Sequence, residues 1–160
     1  MKDKLNIAML GHKRIPSREG GIEIVVEKLS TRMVKLGHQV TCFNRKGHHV
    51  SGSEFDGSQL SEYEGVKLKQ VWTLDKKGLA AMTSSLSAAI KSAFGKYDVV
   101  HFHAEGPCAM LWIPKLFGKR CIATIHGAVA IIGTLFNTAK RQITEVFSSR
   151  LGKQELGYVF

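Results

Sequence analysis

Three short stretches of the chain carry residues that could take part in chemistry. The first places two adjacent glycines, Gly20 and Gly21, directly before a segment with helical spacing. Glycine lets the backbone approach a ligand closely, and the N–H groups at a helix start favour an anion such as phosphate. A tight turn before the helix is the competing explanation, and the sequence leaves both open.

The second and third stretches carry histidines. HFHAEGP, 101–107, sets His101 and His103 two residues apart, so on a strand their side chains share a face. ATIHG, 123–127, puts His126 at a strand end, where it could bond a sugar hydroxyl or a phosphate oxygen, or face water. No cysteine or aspartate is spaced nearby to complete a zinc set, so we expect hydrogen-bonded histidines and no metal.

Charged residues accompany these stretches. Glu105, just beyond the second stretch's strand, is expected to face a polar ligand, because a lone buried carboxylate is costly. Two loops that follow predicted strands are basic, with Lys13, Arg14 and Arg18 in the first and Arg45, Lys46, His48 and His49 in the second. Side by side they would attract anions, whereas solvated loop charge is the simpler interpretation.

Length and composition limit the classes of protein that fit. The 160 residues, 44% hydrophobic with a net charge of +10, suit one globular domain with anionic partners. No aromatic residues interleave the basic clusters, which argues against nucleic acid. Three scattered cysteines predict reduced thiols, and neither a signal peptide nor a membrane-spanning run is evident. We therefore expect a cytoplasmic protein.

Hydrophobic periodicity predicts the elements that position these residues. Apolar positions 22, 25, 26, 29, 33 and 36 form one helical stripe ended by Gly37, with Glu23 and Glu27 on the other side. A second helix over 79–94 places Leu79, Met82, Leu86, Ile90 and Ala93 on one face. Strands are predicted over residues 5–10, 38–43, 66–72, 98–104 and 120–127.

Helices that alternate with nearly continuous apolar strands predict an α/β fold. The expected architecture is a Rossmann-like, doubly wound and mostly parallel sheet with helices on both faces. Ligands of such sheets bind beyond the carboxyl ends of the strands, where all three chemistry-bearing stretches fall. Neither GxGxxG nor GxxxxGK[ST] is present, which argues against a dehydrogenase or a P-loop nucleotidase.

Four motifs also follow one another in an order typical of one family. They are Gly-Gly before the first helix, Leu-Gly-His-x-Val at 36–40, Asp-Val-Val-His-x-His at 98–103 and Thr-x-His-Gly at 124–127. Through them residues 5–127 resemble the N-terminal domain of family 4 retaining glycosyltransferases of the GT-B fold. That group includes bacterial capsule, lipopolysaccharide and phospholipid mannosyl- and rhamnosyltransferases, so the resemblance implies polysaccharide or glycolipid biosynthesis.

The resemblance implies a role for each candidate residue. The loop with Gly20 and Gly21 would bind the donor diphosphate, and His126 would be the catalytic-cleft histidine that contacts the donor sugar. Arg18, His103 and Glu105 would line the acceptor side. No metal or cofactor is implied, because the nucleotide-sugar is itself the substrate.

The resemblance also implies partners and a location. A nucleotide-sugar would be the donor, and a glycan or a lipid-linked molecule the acceptor. The basic, partly apolar face of such a domain would contact an anionic membrane, which the net charge of +10 permits. We therefore expect a cytoplasmic protein that reaches the inner face of the membrane.

The expected organisation is a Rossmann-like domain over 1–127 and a divergent tail over 128–160, with a helix over 137–150. In GT-B enzymes a second Rossmann-like domain with a Glu-x7-Glu arrangement holds most of the nucleotide, and this sequence does not contain it. We thus expect a C-terminal domain partner or self-association. We also expect that this chain alone does not transfer sugar. The alternatives are a non-catalytic module for anionic ligands or glycolipids, one chain of a split enzyme, or a flavodoxin-like nucleotide or flavin binder.

Overall fold

The structure, a computed structural model, describes residues 4–18, 20–46, 60–74, 76, 79–126 and 158–159. Most of the predicted loop over 45–62, including His48 and His49, lies outside the described residues, as does the predicted helix over 137–150. The other predicted elements can be compared directly with the structure.

The strands of the described residues form one sheet. They are β1 Asn6–Leu10, β2 Gln39–Arg45, β3 Glu62–Tyr63, β4 Val66–Val71, β5 Val99–His103, β6 Arg120–Thr124 and β7 Tyr158–Val159. Their order is β3-β4-β2-β1-β5-β6-β7, and neighbours pair in parallel except for β3, which is antiparallel to β4. The predicted mostly parallel sheet is confirmed.

Helices α1 Gly21–Lys35, α2 Leu79–Phe94, α3 Glu105–Cys108 and α4 Trp112–Leu116 connect the strands. The crossover through α1 runs from β1 to β2, and the crossover through α2 runs from β4 past both of these strands to β5. Right-handed crossovers in opposite directions place their helices on opposite faces of the sheet. This is the predicted doubly wound arrangement, and its strand order reverses direction between β1 and β5.

The main core lies between α1 and the sheet. Val26 of α1 is fully buried there against apolar residues of the strands, namely Ile7, Met9, Val40, Cys42, Val66, Leu68 and Val99. Glu23 and Glu27, predicted on the side of α1 away from the apolar stripe, are nevertheless buried, with only 5% and 4% of their surfaces exposed. The loop between β1 and α1 folds over the helix start, and the backbone N–H of Lys13 donates to Glu23 Oε1 over 3.1 Å.

Helix α2 packs with its small residues inward. Its buried positions are all serine or alanine, namely Ser84, Ser85, Ala88, Ala89, Ser92 and Ala93. The serine hydroxyls donate to carbonyls of their own helix, as from Ser85 to Ala81 over 2.6 Å, so they are buried without a lost hydrogen bond. Of the predicted apolar face only Ala93 is buried, and the larger side chains are exposed.

The edges of the sheet add two short strands that the hydrophobic pattern did not predict. β3 shields one side of β4, so β4 lies one strand in from the edge of the sheet. β7 pairs with β6 through Ala123 and Tyr158. In the described part of the chain the cysteines are free, and no helix combines the length and apolarity needed to cross a bilayer.

Candidate functional site

The strand order reverses where the carboxyl ends of β1 and β5 lie side by side, and open parallel sheets bind ligands at this position. The ends of these two strands approach closely there. Gly11, directly after β1, has φ +104°, and a Cβ at this position would overlap the backbone carbonyl oxygen of His103. Only glycine suits this contact, which brings the loop after β1 against the end of β5.

Three histidines lie together beside this contact. The rings of His101 and His103 have centroids 4.1 Å apart, which confirms that they share a face of β5. His103 stacks on His126 at 5.5 Å, and its Nδ1 lies 3.2 Å from Nε2 of His126. On the other side, His101 Nε2 lies 2.8 Å from the hydroxyl of Thr124. The ends of β5 and β6 therefore present a hydrogen-bonded histidine cluster.

The hydrogen bond between His103 and His126 determines which nitrogen of His126 carries a proton. Nε2 of His103 is buried without a hydrogen-bond partner among the described residues. An unused acceptor there costs less than an orphaned N–H, so the proton of His103 belongs on Nδ1. His103 thus donates to Nε2 of His126. A neutral His126 then holds its proton on Nδ1, where it can be donated to a ligand oxygen.

Burial keeps the inner histidines uncharged. Burial, with the nearby histidines His101, His12 and His126, lowers the pKa of His103 to about 2. Burial likewise lowers the pKa of His101 to about 4, with His126 adding to the effect. Near neutral pH these rings act as fixed hydrogen-bonding groups rather than as cations.

His12 extends the cluster toward β2. Its Nε2 lies 3.1 Å from Asn44 Oδ1, and burial lowers its pKa to about 4. The Asn44 side chain also holds the loop, because it accepts from the N–H of Ile15 over 3.2 Å and donates to the carbonyl of the same residue over 2.9 Å. Asn44 thereby positions both His12 and the loop after β1.

The start of α1 forms a second group at the same end of the sheet. Gly20 precedes the helix, and the first intrahelical bond runs from the N–H of Ile24 to the Gly20 carbonyl. The earlier N–H groups have no acceptor within the helix. A Cβ on Gly21 would meet nothing within 4 Å, so there is open space beside the helix start. Gly20 is extended, with φ −156°, and does not require glycine for its backbone.

Two opposite charges also lie at this helix start. Burial lowers the pKa of Arg45, and the negative charge of Glu23, whose carboxylate is buried against the loop, partly opposes this shift. Arg45 is tied to the same loop, because its N–H donates to the Lys13 carbonyl over 2.8 Å. Arg45 therefore offsets the negative charge that Glu23 brings to the anion-attracting end of the helix.

The other predicted site residues are more dispersed. Arg18 is exposed and lies toward the β3 edge, where it opposes the rise in the pKa of Tyr63 caused by burial and by nearby glutamates. Glu105 is half-buried at the start of α3, directly after the end of β5. His103 is fully buried behind His126, so an acceptor cannot touch it in this conformation. The structure thus brings His103 and His126 together and leaves Arg18 apart from them.

The backbone is strained where β5 ends. Ala104 has φ +73° and ψ 155°, a combination almost confined to glycine, and its N–H donates to the Thr124 carbonyl over 3.1 Å. It stands between His103 and Glu105. Such strain is typical of functional sites.

Replacing Ala104 by glycine tests whether the backbone is strained at this position. We expect Ala104→Gly to raise the free energy of unfolding by about 1 kcal/mol, since relief of strain exceeds the entropy that glycine adds to the unfolded chain. Ala109→Gly is the matched control, because Ala109 has ordinary helical angles and should lose about 0.5–1 kcal/mol. Urea unfolding measures both. A loss of stability in Ala104→Gly would contradict the strain.

Sequence patterns missed several residues of the site. His12, Asn44 and Glu23 hold the loop after β1, yet His12 was not distinguished from its basic neighbours and Asn44 was not singled out. An Asn at the carboxyl end of a buried strand was the available signal, because a buried amide needs partners. In the described part of the chain, no three histidine, cysteine or acidic side chains are grouped in a way that could hold a metal ion.

The family model for Glycosyltransferase Family 4 matches residues 19–155, a range that contains α1, the histidine cluster and residues 128–155. No curated protein sequence matches the chain. The family match covers most of the 160 residues. The chain therefore belongs to glycosyltransferase family 4.

Proposed function

We propose that this domain forms the acceptor-side half of a retaining glycosyltransferase site. Its substrates would be a nucleotide-sugar and a glycan or lipid-linked acceptor, as in polysaccharide biosynthesis, in the cytoplasm near the inner face of the membrane. The proposal adds these details to the sugar-related function that family membership implies. The observation that carries it is the 3.2 Å contact between Nδ1 of His103 and Nε2 of His126, from which we infer that the proton of His126 is available on Nδ1 beyond the end of β6.

His126 would orient the donor sugar. Its Nδ1–H would donate to a sugar oxygen, and the neutral His103 behind it would hold the ring in place. His103 would then be a positioning residue rather than a direct acceptor contact, since it is fully buried. This half of the site would contribute orientation and electrostatics instead of a nucleophile.

The loop with Gly20 and Gly21 would approach the donor diphosphate. Support comes from the open space beside Gly21 and from the N–H groups at the helix start. In transfer with retention, the bond from C1 of the sugar to phosphate breaks and the acceptor oxygen bonds to C1 on the same face. The acceptor proton passes to the departing phosphate oxygen. We propose that no metal takes part, with a further domain or chain closing over the donor.

Isothermal titration with nucleoside diphosphates and nucleotide-sugars tests the proposal. We expect one nucleotide-sugar to bind, with the Kd raised about tenfold in His126→Ala and about tenfold or more in Gly21→Val, through a lost hydrogen bond and a filled space. Val25→Ala, an exposed position on the same helix, is the control and should leave the Kd unchanged.

Two outcomes would contradict the proposal. If no nucleotide or nucleotide-sugar bound, this chain would not contain a donor site. That result would favour a non-catalytic module for glycolipids or other anions. Binding that neither His126→Ala nor Gly21→Val weakens would place the ligand elsewhere on the molecule.

A further inference from the structure

Arg14 is a charged residue that the fold buries. It lies in the loop between β1 and α1, and only 6% of its surface is exposed, whereas Lys13 and Arg18 of the same loop are exposed. The described part of the chain supplies Arg14 with neither a hydrogen-bond acceptor nor an ion-pair partner. A guanidinium group keeps its charge in a protein, and a buried charge without a partner is costly. The simpler interpretation of this basic loop, solvated charge, is therefore wrong for Arg14.

Hydrogen bonds hold the backbone on both sides of Arg14. Before it, the Lys13 carbonyl accepts from the N–H of Arg45 over 2.8 Å. After it, the Asn44 side chain bonds both the N–H and the carbonyl of Ile15. These contacts join the loop after β1 to the end of β2. Arg14 therefore stays beside Arg45 and cannot move into water unless these bonds break.

The charges beside Arg14 do not balance. Glu23 contacts this loop through its carboxylate, since its Oε1 accepts from the N–H of Lys13, and its charge opposes the effect of burial on the pKa of Arg45. Arg45 is half-buried, and its Nε–H has no acceptor among the described residues. Glu19, in the same loop, lies outside the described residues. In the part that the structure describes, one carboxylate thus accompanies two arginines, and a positive charge is left over.

We propose that Arg14 binds a phosphate group of a substrate, with Arg45 adding positive charge beside it, and we call this pair the phosphate site. The exposed 6% of Arg14 includes guanidinium nitrogens, so an anion can reach them. A planar guanidinium donates two parallel hydrogen bonds to phosphate oxygens, and phosphate carries enough negative charge to offset an unpaired cation. The position suits a substrate, because this loop follows the carboxyl end of β1 and leads to the open space beside Gly21.

Arg14→Met tests whether the buried charge is unpaired in the free chain. Methionine fills a similar space without a charge, so the variant should raise the Tm by at least about 4 °C. Arg18→Met is the matched control, because it removes the same charge from an exposed position of the same loop and should shift the Tm by less than about 2 °C. Calorimetric unfolding measures both. A fall in the Tm of Arg14→Met would overturn the proposal, because Arg14 would then have a partner in the free chain, Glu19 included.

Isothermal titration of the full chain with inorganic pyrophosphate measures binding. We expect the Kd to rise at least about tenfold in Arg14→Met, through loss of charge-assisted hydrogen bonds, and less than about threefold in Arg18→Met. Arg14→Lys keeps the charge but not the planar fork, so its Kd should lie between those of the wild type and Arg14→Met. No pyrophosphate binding by the wild type would overturn the proposal. An equal loss in both methionine variants would overturn it in favour of net charge alone.

Organic diphosphates identify the substrate that carries the phosphate. The phosphate site rests on the proposed function here, because the donor diphosphate and a lipid-linked acceptor can both carry such a group. Uridine and guanosine diphosphates represent the donor, and geranyl diphosphate represents the acceptor. Binding about tenfold weaker in Arg14→Met for a nucleoside diphosphate assigns the site to the donor, and for geranyl diphosphate to the acceptor. Equal binding of every probe by the wild type and Arg14→Met would overturn the proposal.

Failure of the proposed function can be told apart from failure of the phosphate site. A chain that binds pyrophosphate through Arg14 but no nucleotide-sugar would support the phosphate site and contradict the proposed function. A chain that binds a nucleotide-sugar through His126 and Gly21, with the same affinity for pyrophosphate in Arg14→Met as in the wild type, would do the reverse.

Discussion

Lowering the pH from about 6.5 to about 5 should remove roughly 5 kcal/mol from the free energy of unfolding, because three buried histidines are held neutral. Burial lowers the pKa of His12 and His101 to about 4 and that of His103, together with its histidine neighbours, to about 2. In the unfolded chain the same groups protonate near pH 6.5. The unfolded state therefore binds more protons throughout this window, and folding stability falls with the pH.

The loss is comparable to the whole stability of many domains, so acid should unfold the chain above the pH at which carboxyl groups titrate. Urea unfolding at a series of pH values measures it. His101→Gln keeps a hydrogen-bonding partner for Thr124 and should recover about one third of the loss, roughly 1.6 kcal/mol. A stability that stays constant between pH 6.5 and 5 would contradict a buried neutral cluster.

Gly11→Ala should destabilise the chain by at least about 4 kcal/mol, a loss beyond that of most single substitutions. Gly11 has φ +104°, and the added Cβ would overlap the carbonyl oxygen of His103 on a neighbouring strand. Neither backbone can move without breaking the ladder between β1 and β5. The loop after β1 and the histidine cluster should be lost together.

Gly21→Ala is the matched control for this substitution. Gly21 is helical, and a Cβ there would meet nothing within 4 Å. Alanine should therefore raise the free energy of unfolding by about 1 kcal/mol. Chemical denaturation of both variants compares the two glycines. If Gly11→Ala fell within 1 kcal/mol of the wild type, the close contact at the strand ends would be wrong.

Much of the fold followed from the spacing of apolar residues. Helix α2 was predicted with the boundaries that it has, and α1 within one residue, because Gly37 and the three- and four-residue periods are local signals. The parallel sheet followed from strands alternating with helices. The two-residue strands β3 and β7 were missed, since they are too short to show a period and depend on pairing with β4 and β6.

Burial on the helices was harder to predict, because it depends on tertiary contacts. Glu23 and Glu27 fall on the polar side of α1, yet the loop that folds over the helix start helps to bury that side. In α2 the larger hydrophobic residues face outward. The side chains of Leu10 and Phe102 are fully buried on the face of the sheet opposite the main core, so only small residues of α2 fit against that face. A hydrophobic stripe therefore predicted the helix, but not which side packs.

The candidate site was partly predictable, because local patterns indicate where strands end but not which side chains tertiary contacts bury. Strand ends identified His103 and His126, because loops at the carboxyl edge of a parallel sheet bind ligands. The partners of Asn44, and the burial that hides His103, depend on contacts between residues far apart in the chain. The roles of all the candidate residues, Gly20, Gly21, Arg18, His103, Glu105 and His126, stay predictions.

A long-range proton–nitrogen NMR spectrum of the histidine rings is the most direct test of the site. Without ligand, we predict that His126 carries its proton on Nδ1 and accepts at Nε2 from His103. Adding the nucleotide-sugar selected by titration should shift the Nδ1 signal of His126 and leave His12 unchanged. A proton on Nε2 of His126, or a His126 signal that saturating nucleotide-sugar does not move, would contradict a sugar-binding role for this histidine.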